Sequence, residues 1–558
     1  MSATPSAARL LADEFVEHRL ATEHDWALWS GDLTYLERWP DVSEEGDRAQ
    51  FDALEDFARR AESIEASSSD DRTLLETIVF TGESKATQLR WQSELEWVNH
   101  TTGIVSLIFI FLPRYPLVTT EHGQRYLEKV RNLPEFIDVW GGRLESAAAG
   151  AVAPIAHLVT EMVASLDRQL AAPLSNGPLI RQPPPTDLSD EEAGLWTDEL
   201  GKLLDELVTP ALERLRAILV ERTLPVARDD ALPGLVHLPG GRALYEQLVW
   251  AHTSVAVTAE EVHEVGRQQV ERLEEEYRRI AGPLLGTAEV DEIYRKLRDD
   301  KDLHYRDADS LVKDATAALA RATAAVTDWF GILPQAPCIA NSIEQGALAF
   351  YSRPARDGSK PGRFFFNTAD PTMWGTFQLE AVTYHEGVPG HHLQLAIALE
   401  NPDLHRLLAD YYIAAYNEGW GLYTERLADE MGLYSSEIDR VGMLSADSMR
   451  ACRLVVDTGL HALGWTRDEA IEYMLDHSPM TRLQVQGEID RYIGNPGQAL
   501  GYMMGRLEIE RIRSEAEATL AELFDIKAFH DVMLSTGSVP ITTLKRVVTE
   551  WVQSQSQS

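Results

Sequence analysis

The sequence predicts a mainly α-helical protein with one small antiparallel β-sheet. Apolar residues recur at intervals of three and four over most of the 558-residue chain, which is the period of an amphipathic helix. Short aromatic and β-branched runs, which favour strands, are few and cluster near residues 338–368. Hydrophobic residues make up 44% of the chain and charged residues 25%, so the composition is that of a folded protein.

Three long segments show the helical period most clearly: Glu191–Glu221, Ala259–Ala281 and Asp309–Trp329. Thr258 directly precedes the second segment, and Glu261 lies three positions after Thr258. This spacing predicts a capping box, in which each side chain accepts a hydrogen bond from the backbone N–H of the other residue.

The segment Ala172–Asp187 interrupts the helical pattern, because its prolines and glycine exclude a regular helix. It predicts a boundary between an N-terminal helical region, residues 1–172, and a second region, residues 188–558. A loop that crosses one continuous helical domain has the same composition, so both organisations stay open.

The predicted strands are Cys338–Ala340, Ala347–Ser352 and Arg363–Thr368, each bounded by Gly, Pro or Asp. They lie directly before the most chemically informative segment of the chain. We therefore expect the sheet to border the functional site.

Several features predict a cytoplasmic protein. The apolar run Gly103–Leu112 is ten residues long, well short of the roughly 20 that span a bilayer, and predicts a buried helix. The segment Met1–Glu14 lacks a basic leader followed by an apolar core, so it does not resemble a secretory signal. Cys338 and Cys452 are the two cysteines of the chain, which excludes a disulfide framework and favours a reducing compartment.

The charge of the chain restricts its partners. With 51 Lys and Arg against 89 Asp and Glu, the formal net charge is −38 at pH 7. Nucleic acids and anionic membranes are polyanions, so neither is an expected partner. The oligomeric state is not indicated by the sequence.

The segment Tyr384–Gln394, with the sequence YHEGVPGHHLQ, concentrates three histidines and a glutamate. In the zinc-peptidase motif HExxH, two histidines four positions apart share one helix face and the adjacent glutamate polarises water. His385 and His391 are six positions apart, a rotation of roughly 240° and a rise of about 9 Å on an ideal helix. An unbroken helix therefore cannot bring both imidazoles to one ion.

Pro389 and Gly390 allow the helix to be interrupted between these histidines. We favour His391 as the second ligand, with His392 as the alternative. A site built from His and carboxylate ligands suits zinc, and manganese or cobalt also bind such a set.

A second motif, Tyr416–Glu425 (YNEGWGLYTE), lies about one helix later. Glu418 is the candidate third metal ligand, and Glu425 is on the same helix face two turns later, where it can hydrogen-bond a ligand. Gly419 and Gly421 lower helix propensity, which predicts that this helix approaches another element closely.

A polar stripe follows on a helix that is otherwise apolar. Arg450, Arg453, Asp457 and His461 are spaced to share one face, and we expect them to point into the interior. Asp457 and His461 are in position to hydrogen-bond each other, and His461 to donate to an oxyanion. A structural salt-bridge network explains the stripe equally well.

Aromatic residues supply the remaining candidates. Tyr502 is the first candidate for a hydroxyl that stabilises an oxyanion, and Tyr492 and Arg453 are candidates for substrate binding. Phe366 and Asn367 belong to the last predicted strand, where an edge strand can pair with an extended peptide. Other tyrosines, Tyr411, Tyr412 and Tyr416, are expected to be core or groove wall.

Four motifs in order, HEGVPGHH, NEGWGLY, RACRLVVDTGLH and PGQALGYMMG, resemble the bacterial domain-of-unknown-function family 885 over most of the chain. That family is thought to belong with the glutamate-type zinc peptidases, near thimet oligopeptidase and Taq carboxypeptidase. The resemblance implies a zincin-like helical fold, with the small sheet beside a deep active-site groove.

The same resemblance implies a mechanism. His385, His391 and Glu418 would bind one zinc, Glu386 would act as general base, and Tyr502 or His461 would stabilise the oxyanion. The expected activity is hydrolysis of short peptides, as an oligopeptidase or carboxypeptidase. Two alternatives stay open: a non-catalytic binding protein of zincin descent, and a zinc hydrolase of non-peptide amides.

Overall fold

The computed structural model describes residues 5–23, 26, 28, 30–90, 98, 103–149, 153–344 and 346–557. It confirms the mainly helical class with a small sheet near residues 338–368. Within the described residues, no helix is both long enough and apolar enough to cross a bilayer. The deep groove that the family resemblance implies stays a prediction.

Among the described residues before the sheet, the α-helices of ten or more residues are numbered α1 to α11. They are α1 Ala7–Thr22, α2 Glu44–Ser63, α3 Ser69–Arg90, α4 Thr120–Ala149, α5 Ala156–Leu170, α6 Asp190–Leu203, α7 Thr209–Ile218, α8 Gly241–Thr253, α9 Ala259–Leu285, α10 Val290–Asp299 and α11 Ala308–Ala325.

The helices after the sheet carry all the motifs described above. They are α12 Leu379–Glu386, α13 His391–Glu400, α14 Arg406–Asp410, α15 Ala414–Glu430, α16 Glu437–His461, α17 Arg467–Asp476, α18 Arg482–Gly494, α19 Leu500–Leu520, α20 Ile526–Ser535 and α21 Ile541–Ser556.

The predicted helices are confirmed, with local differences. The capping box of Thr258 and Glu261 opens α9. The helix expected over Glu191–Glu221 is α6 and α7 joined by a wider π turn at Leu204–Val208. The apolar run Gly103–Leu112 is mostly buried and helical, and it too widens into a π turn, at Leu107–Phe111.

The three strands are β1 Cys338–Ile343, β2 Ala349–Ser352 and β3 Gly362–Asn367, in the order β1-β3-β2. β3 pairs antiparallel with β2 and parallel with β1, so the expectation of a purely antiparallel sheet is wrong. The reason is topological: the chain reverses direction twice between β1 and β3, and β3 then inserts between the other two strands.

This sheet order also corrects the substrate-binding prediction for β3. As the central strand, β3 has both edges paired and offers neither to a peptide. Phe366 is fully buried against a small core that includes Trp374 and Leu379. The Asn367 side chain stabilises local turns, donating to the Gly346 carbonyl at 3.2 Å and accepting from the Ala369 N–H at 2.9 Å.

Two large hydrophobic cores hold the helices together. One contains Trp140 and Leu200, and the other contains Phe15 and Trp420. Both cores combine residues from either side of the segment Ala172–Asp187. The predicted boundary at that segment stays a prediction.

A buried ion-pair network joins three helices at the centre of the C-terminal region. Asp447 of α16 and Arg506 of α19 are both 0% exposed, and they lie 2.9 Å apart. Arg426 of α15 donates to the same carboxylate at 2.6 Å. Burial favours the neutral acid, but Arg426 and Arg506 hold the pKa of Asp447 below its ordinary value. Removing one member therefore leaves buried charge without its counterion.

We expect Asp447→Ala to lower the free energy of unfolding by about 3–5 kcal/mol, because two arginines lose their shared buried carboxylate. Asp429→Ala is the matched control, since Asp429 and Arg440 form an ion pair at 2.7 Å that is 29% exposed on both sides. The control should cost less than about 1 kcal/mol. Urea denaturation measures both, and equal losses would refute the importance of the buried network.

Candidate metal centre

The helix interruption predicted at Pro389-Gly390 is present. Helix α12 ends at Glu386, α13 begins at His391, and the residues between them form a tight turn. The break frees the direction of α13 from that of α12. An unbroken helix would rotate His391 by roughly 240° from His385 about the helix axis, and the break removes this constraint.

His385, His391 and Glu418 meet in the interior. All three are buried, and each offers a ligand atom within 4.8 Å of the others. Nε2 of His385 lies 3.3 Å from Oε2 of Glu418, and Nε2 of His391 lies 3.7 Å from the same oxygen. The two imidazole rings are nearly perpendicular, at 86°. Two nitrogens and one carboxylate oxygen converging in this way fit a divalent cation such as zinc, with positions left for further ligands.

His392 points elsewhere. Its Nε2 donates to the Ala336 carbonyl at 3.0 Å, and its Nδ1 accepts from the Tyr351 hydroxyl at 2.9 Å. Burial lowers the pKa of His392 to about 4, which agrees with a neutral ring that uses both nitrogens for the fold. The structure thus brings His391, and not the alternative His392, to the cluster.

Glu425 lies behind His385. Its Oε1 accepts from Nδ1 of His385 at 2.8 Å and lies 3.5 Å from the guanidinium of Arg450. A carboxylate in this position fixes the ring and directs Nε2 toward the metal position. Helix α15 can come this close because Gly421 has no side chain: a β-carbon there would lie 2.6 Å from Cε1 of His385.

Hydrogen bonding and burial set the protonation of the cluster. Burial disfavours the imidazolium, but the bonds to Glu418 and Glu425 raise the pKa of His385 to about 9. Burial disfavours the Glu418 carboxylate, yet the two histidines hold its pKa well below the ordinary value. Glu386 is half-buried, and burial raises its pKa. A carboxylate is the kind of group that accepts and returns a proton in general acid–base catalysis.

Two tyrosines border the cluster. The hydroxyl of Tyr412 donates to Oε1 of Glu418, and this residue is 36% exposed. Tyr502 is half-buried, and burial together with the charge of Glu418 raises its pKa to about 12. Helix α19 brings Tyr502 close because Gly419 and Gly505 let the backbones of α15 and α19 touch: a β-carbon at Gly419 would lie 2.7 Å from Cα of Gly505.

Tyr412 is expected from the sequence to be core or groove wall, and nothing in the sequence predicts its bond to Glu418. It lies in the connection before α15, six positions ahead of Glu418, where no helical spacing relates the two residues. Its neighbour Tyr411 is buried as expected. The one available signal was the run of tyrosines directly before the NEGWGLY motif.

Other predicted site residues have structural partners. His461 and Asp457 are fully buried. The hydrogen bond expected between them is not formed, because each has other partners. His461 accepts from the Leu235 N–H at 3.2 Å and donates to the Tyr492 carbonyl at 3.1 Å. Asp457 accepts from the Tyr245 hydroxyl and from the Gly497 N–H. The prediction that His461 stabilises an oxyanion is corrected, because its N–H already donates to the Tyr492 carbonyl.

Tyr492 is also fully buried, which removes it from contact with a substrate. Its hydroxyl donates to Glu488 and accepts from Nε of Arg453 at 2.8 Å. Arg453 lies on the side of this group nearer to Tyr502, with its guanidinium carbon 4.4 Å from the Tyr502 ring centroid. Of the polar stripe on α16, the arginines are therefore the members that border the metal cluster.

Comparison with known families identifies the family of the chain. A family model described as bacterial protein of unknown function (DUF885) matches residues 25–548. The chain belongs to this family. The resemblance to this family that the four motifs predict is confirmed. The relation to glutamate-type zinc peptidases stays a prediction. No curated protein matches the DUF885 chain.

Solved structures resemble the DUF885 chain over its whole length. One is a candidate lipoprotein from Colwellia psychrerythraea, with a TM-score of 0.89 and 25% identity, covering 99% of this chain and 100% of that one. Another is a candidate lipoprotein of unknown function from Shewanella oneidensis, with a TM-score of 0.75 and 19% identity, covering 98% and 100%. These descriptions lend no support to a cytoplasmic location, which stays a prediction.

We expect His391→Ala to abolish stoichiometric zinc binding, because it removes one of three converging ligand atoms. His392→Gln is the matched control: this neighbouring imidazole bonds Tyr351 and Ala336 and should leave zinc content unchanged. Metal analysis of protein purified without chelator measures both. Full zinc content in His391→Ala would show that the cluster is not the metal centre.

Proposed function

We propose that this protein is a metal-dependent hydrolase of short peptides. The observation that supports it most is the convergence of His385, His391 and Glu418, with Glu386 next in sequence to the first ligand. This combination has the elements of a His₂Glu catalytic zinc site: three protein ligands, a neighbouring carboxylate and polar groups nearby. Bound by this triad, zinc would acidify a water molecule and polarise the carbonyl of the substrate.

Glu386 carries the proton in this proposal. Its carboxylate directly follows the ligand His385 at the end of α12, so it would be in position to accept a proton from the attacking water. The C–O bond from water to the carbonyl carbon forms first and puts negative charge on the carbonyl oxygen; the C–N bond then breaks, and Glu386 delivers the proton to the leaving amine. Water is the only co-reactant that this hydrolysis consumes.

Tyrosine hydroxyls supply the oxyanion donor. Tyr502 is the first candidate, because it is half-buried on α19, whose backbone touches that of α15, the helix that carries Glu418. Tyr412 already donates to Glu418 and so fixes that ligand. Short peptides are the favoured substrates, since the ligand side chains are only 4 to 12% exposed and folded proteins could not reach them.

We expect Glu386→Gln to keep its zinc and to lose activity by about 10²–10⁴-fold, because the amide cannot accept a proton. Glu276 offers a control carboxylate away from the cluster, in an ion pair with Arg426 at 2.7 Å, and Glu276→Gln should retain activity. A mixed peptide library read by mass spectrometry supplies the substrate. Undiminished cleavage in Glu386→Gln would refute its role, and full zinc loading without any cleavage in the unaltered protein would indicate a binding protein instead.

We expect Tyr502→Phe to lower kcat by about 10²–10³-fold with little change in KM, because the hydroxyl acts on charge that develops in the transition state. Tyr473→Phe is the control, since this half-buried tyrosine packs on Trp465. Steady-state kinetics on one identified peptide separates the two parameters. A rise in KM at constant kcat would assign Tyr502 to substrate binding alone.

A further inference from the structure

Helix α16 places two arginines beside the metal cluster. Arg450 and Arg453 are three positions apart on one face, so their side chains are neighbours. Both are largely withdrawn from solvent, with side-chain exposures of 11% and 6%. A buried guanidinium is costly unless its donors are paired, so each unpaired N–H calls for an explanation.

Within the described residues, each arginine keeps one buried nitrogen without a hydrogen-bond partner: Nε of Arg450 and NH1 of Arg453. The remaining nitrogens of Arg453 donate to Glu488, at 2.8 and 3.2 Å, and to Tyr492. NH1 of Arg450 donates to the backbone carbonyl of Ala446, one turn earlier in α16, at 3.2 Å. The unpaired donors are therefore single N–H groups on otherwise anchored side chains.

The position of these donors relates them to the cluster. Arg450 lies 3.5 Å from Glu425, which holds His385. Arg453 stacks on the Tyr502 ring. Burial raises the pKa of Tyr502, Glu418 raises it further, and Arg453, Arg491 and Arg450 oppose that rise. Glu418 and these arginines therefore all lie close enough to Tyr502 to act on it electrostatically.

Three arginines lie together near the cluster. Arg450, Arg453 and Arg491 are grouped with two carboxylates, Glu488 and Glu425, and Glu425 already binds His385. Neighbouring guanidinium groups that keep an unpaired N–H are suited to bind an anionic group of a substrate.

We propose that Arg450 and Arg453 bind the free C-terminal carboxylate of the peptide substrate, so that the enzyme removes residues from the C-terminus. The inference rests on the proposed function. A carboxylate has two oxygens and fits two N–H donors from neighbouring guanidinium groups. Bound there, it directs the last residues of the peptide past Tyr502 to the metal cluster. The bond that is hydrolysed is then a peptide bond near the C-terminus of the substrate, with water attack and proton transfer as described above.

The first test compares two peptides that differ at one group. An N-acetylated pentapeptide is offered to the zinc-loaded protein as the free acid and as the C-terminal amide. We expect kcat/KM to be at least about 10-fold higher for the free acid, because charge-assisted hydrogen bonds are lost in the amide. Mass spectrometry should show loss of C-terminal residues. Equal cleavage of the two peptides would overturn the carboxylate site and leave the hydrolase function standing.

Variants assign the effect to the arginines. Arg450→Met and Arg453→Met should each bring the ratio of kcat/KM for the free acid to that for the amide down toward 1, mainly by raising KM for the free acid. Arg482→Met is the control: it also removes one arginine charge, but Arg482 pairs with Glu472 at the surface and has no place in the arginine group. Its preference should persist. Zinc content and melting temperature verify folding, and if Arg453→Met is unstable, Arg450→Met carries the test. An unchanged preference in a folded variant would overturn the assignment.

Binding without turnover separates this inference from the proposed function. The zinc-loaded Glu386→Gln protein is titrated with both peptides by calorimetry. At least about 10-fold tighter binding of the free acid supports the carboxylate site even if the unaltered protein cleaves nothing, in which case the hydrolase proposal fails alone. Equal affinity for the two peptides would overturn the carboxylate site.

Discussion

The interruption between α12 and α13 is the constraint on which the candidate site depends. A continuous helix would separate His385 and His391 by about two-thirds of a turn, and no adjustment of rotamers compensates for that. Ending α12 at Glu386 and starting α13 at His391 removes the conflict. It also leaves Glu386 as the last residue of its helix, next to His385 and only half-buried, which is where a proton carrier is needed.

Helix packing provides the second part of the arrangement. Helix α15 supplies Glu418 and Glu425 from positions two turns apart on one face, one to the candidate metal position and one behind His385. Close packing requires Gly421 against the His385 ring and Gly419 against α19. The buried pair of Asp447 and Arg506 then links α16 to α19 and holds the arginine-bearing helix in register with the cluster.

Local signals in the sequence were sufficient for the helices and for the cluster. The break at Pro389-Gly390, the glycines of NEGWGLY and the one-face spacing of Glu418 and Glu425 all concern neighbouring residues. Features that depend on distant pairing were not accessible. The position of β3 between β1 and β2 depends on two chain reversals. The partners of His461 include Leu235, far away in the chain, so the capture of its N–H by the backbone could not be read from α16 alone.

The sequence family has no assigned function, and the cluster gives it a chemical hypothesis that can be examined directly. X-ray absorption at the zinc K-edge of the loaded protein reports the ligands themselves. Two imidazoles and a carboxylate oxygen predict two nitrogens near 2.0–2.1 Å, with the outer-shell scattering that imidazole rings produce, and no sulfur. A shell of oxygens alone, or one with a single imidazole, would contradict the central claim that His385, His391 and Glu418 form the metal centre.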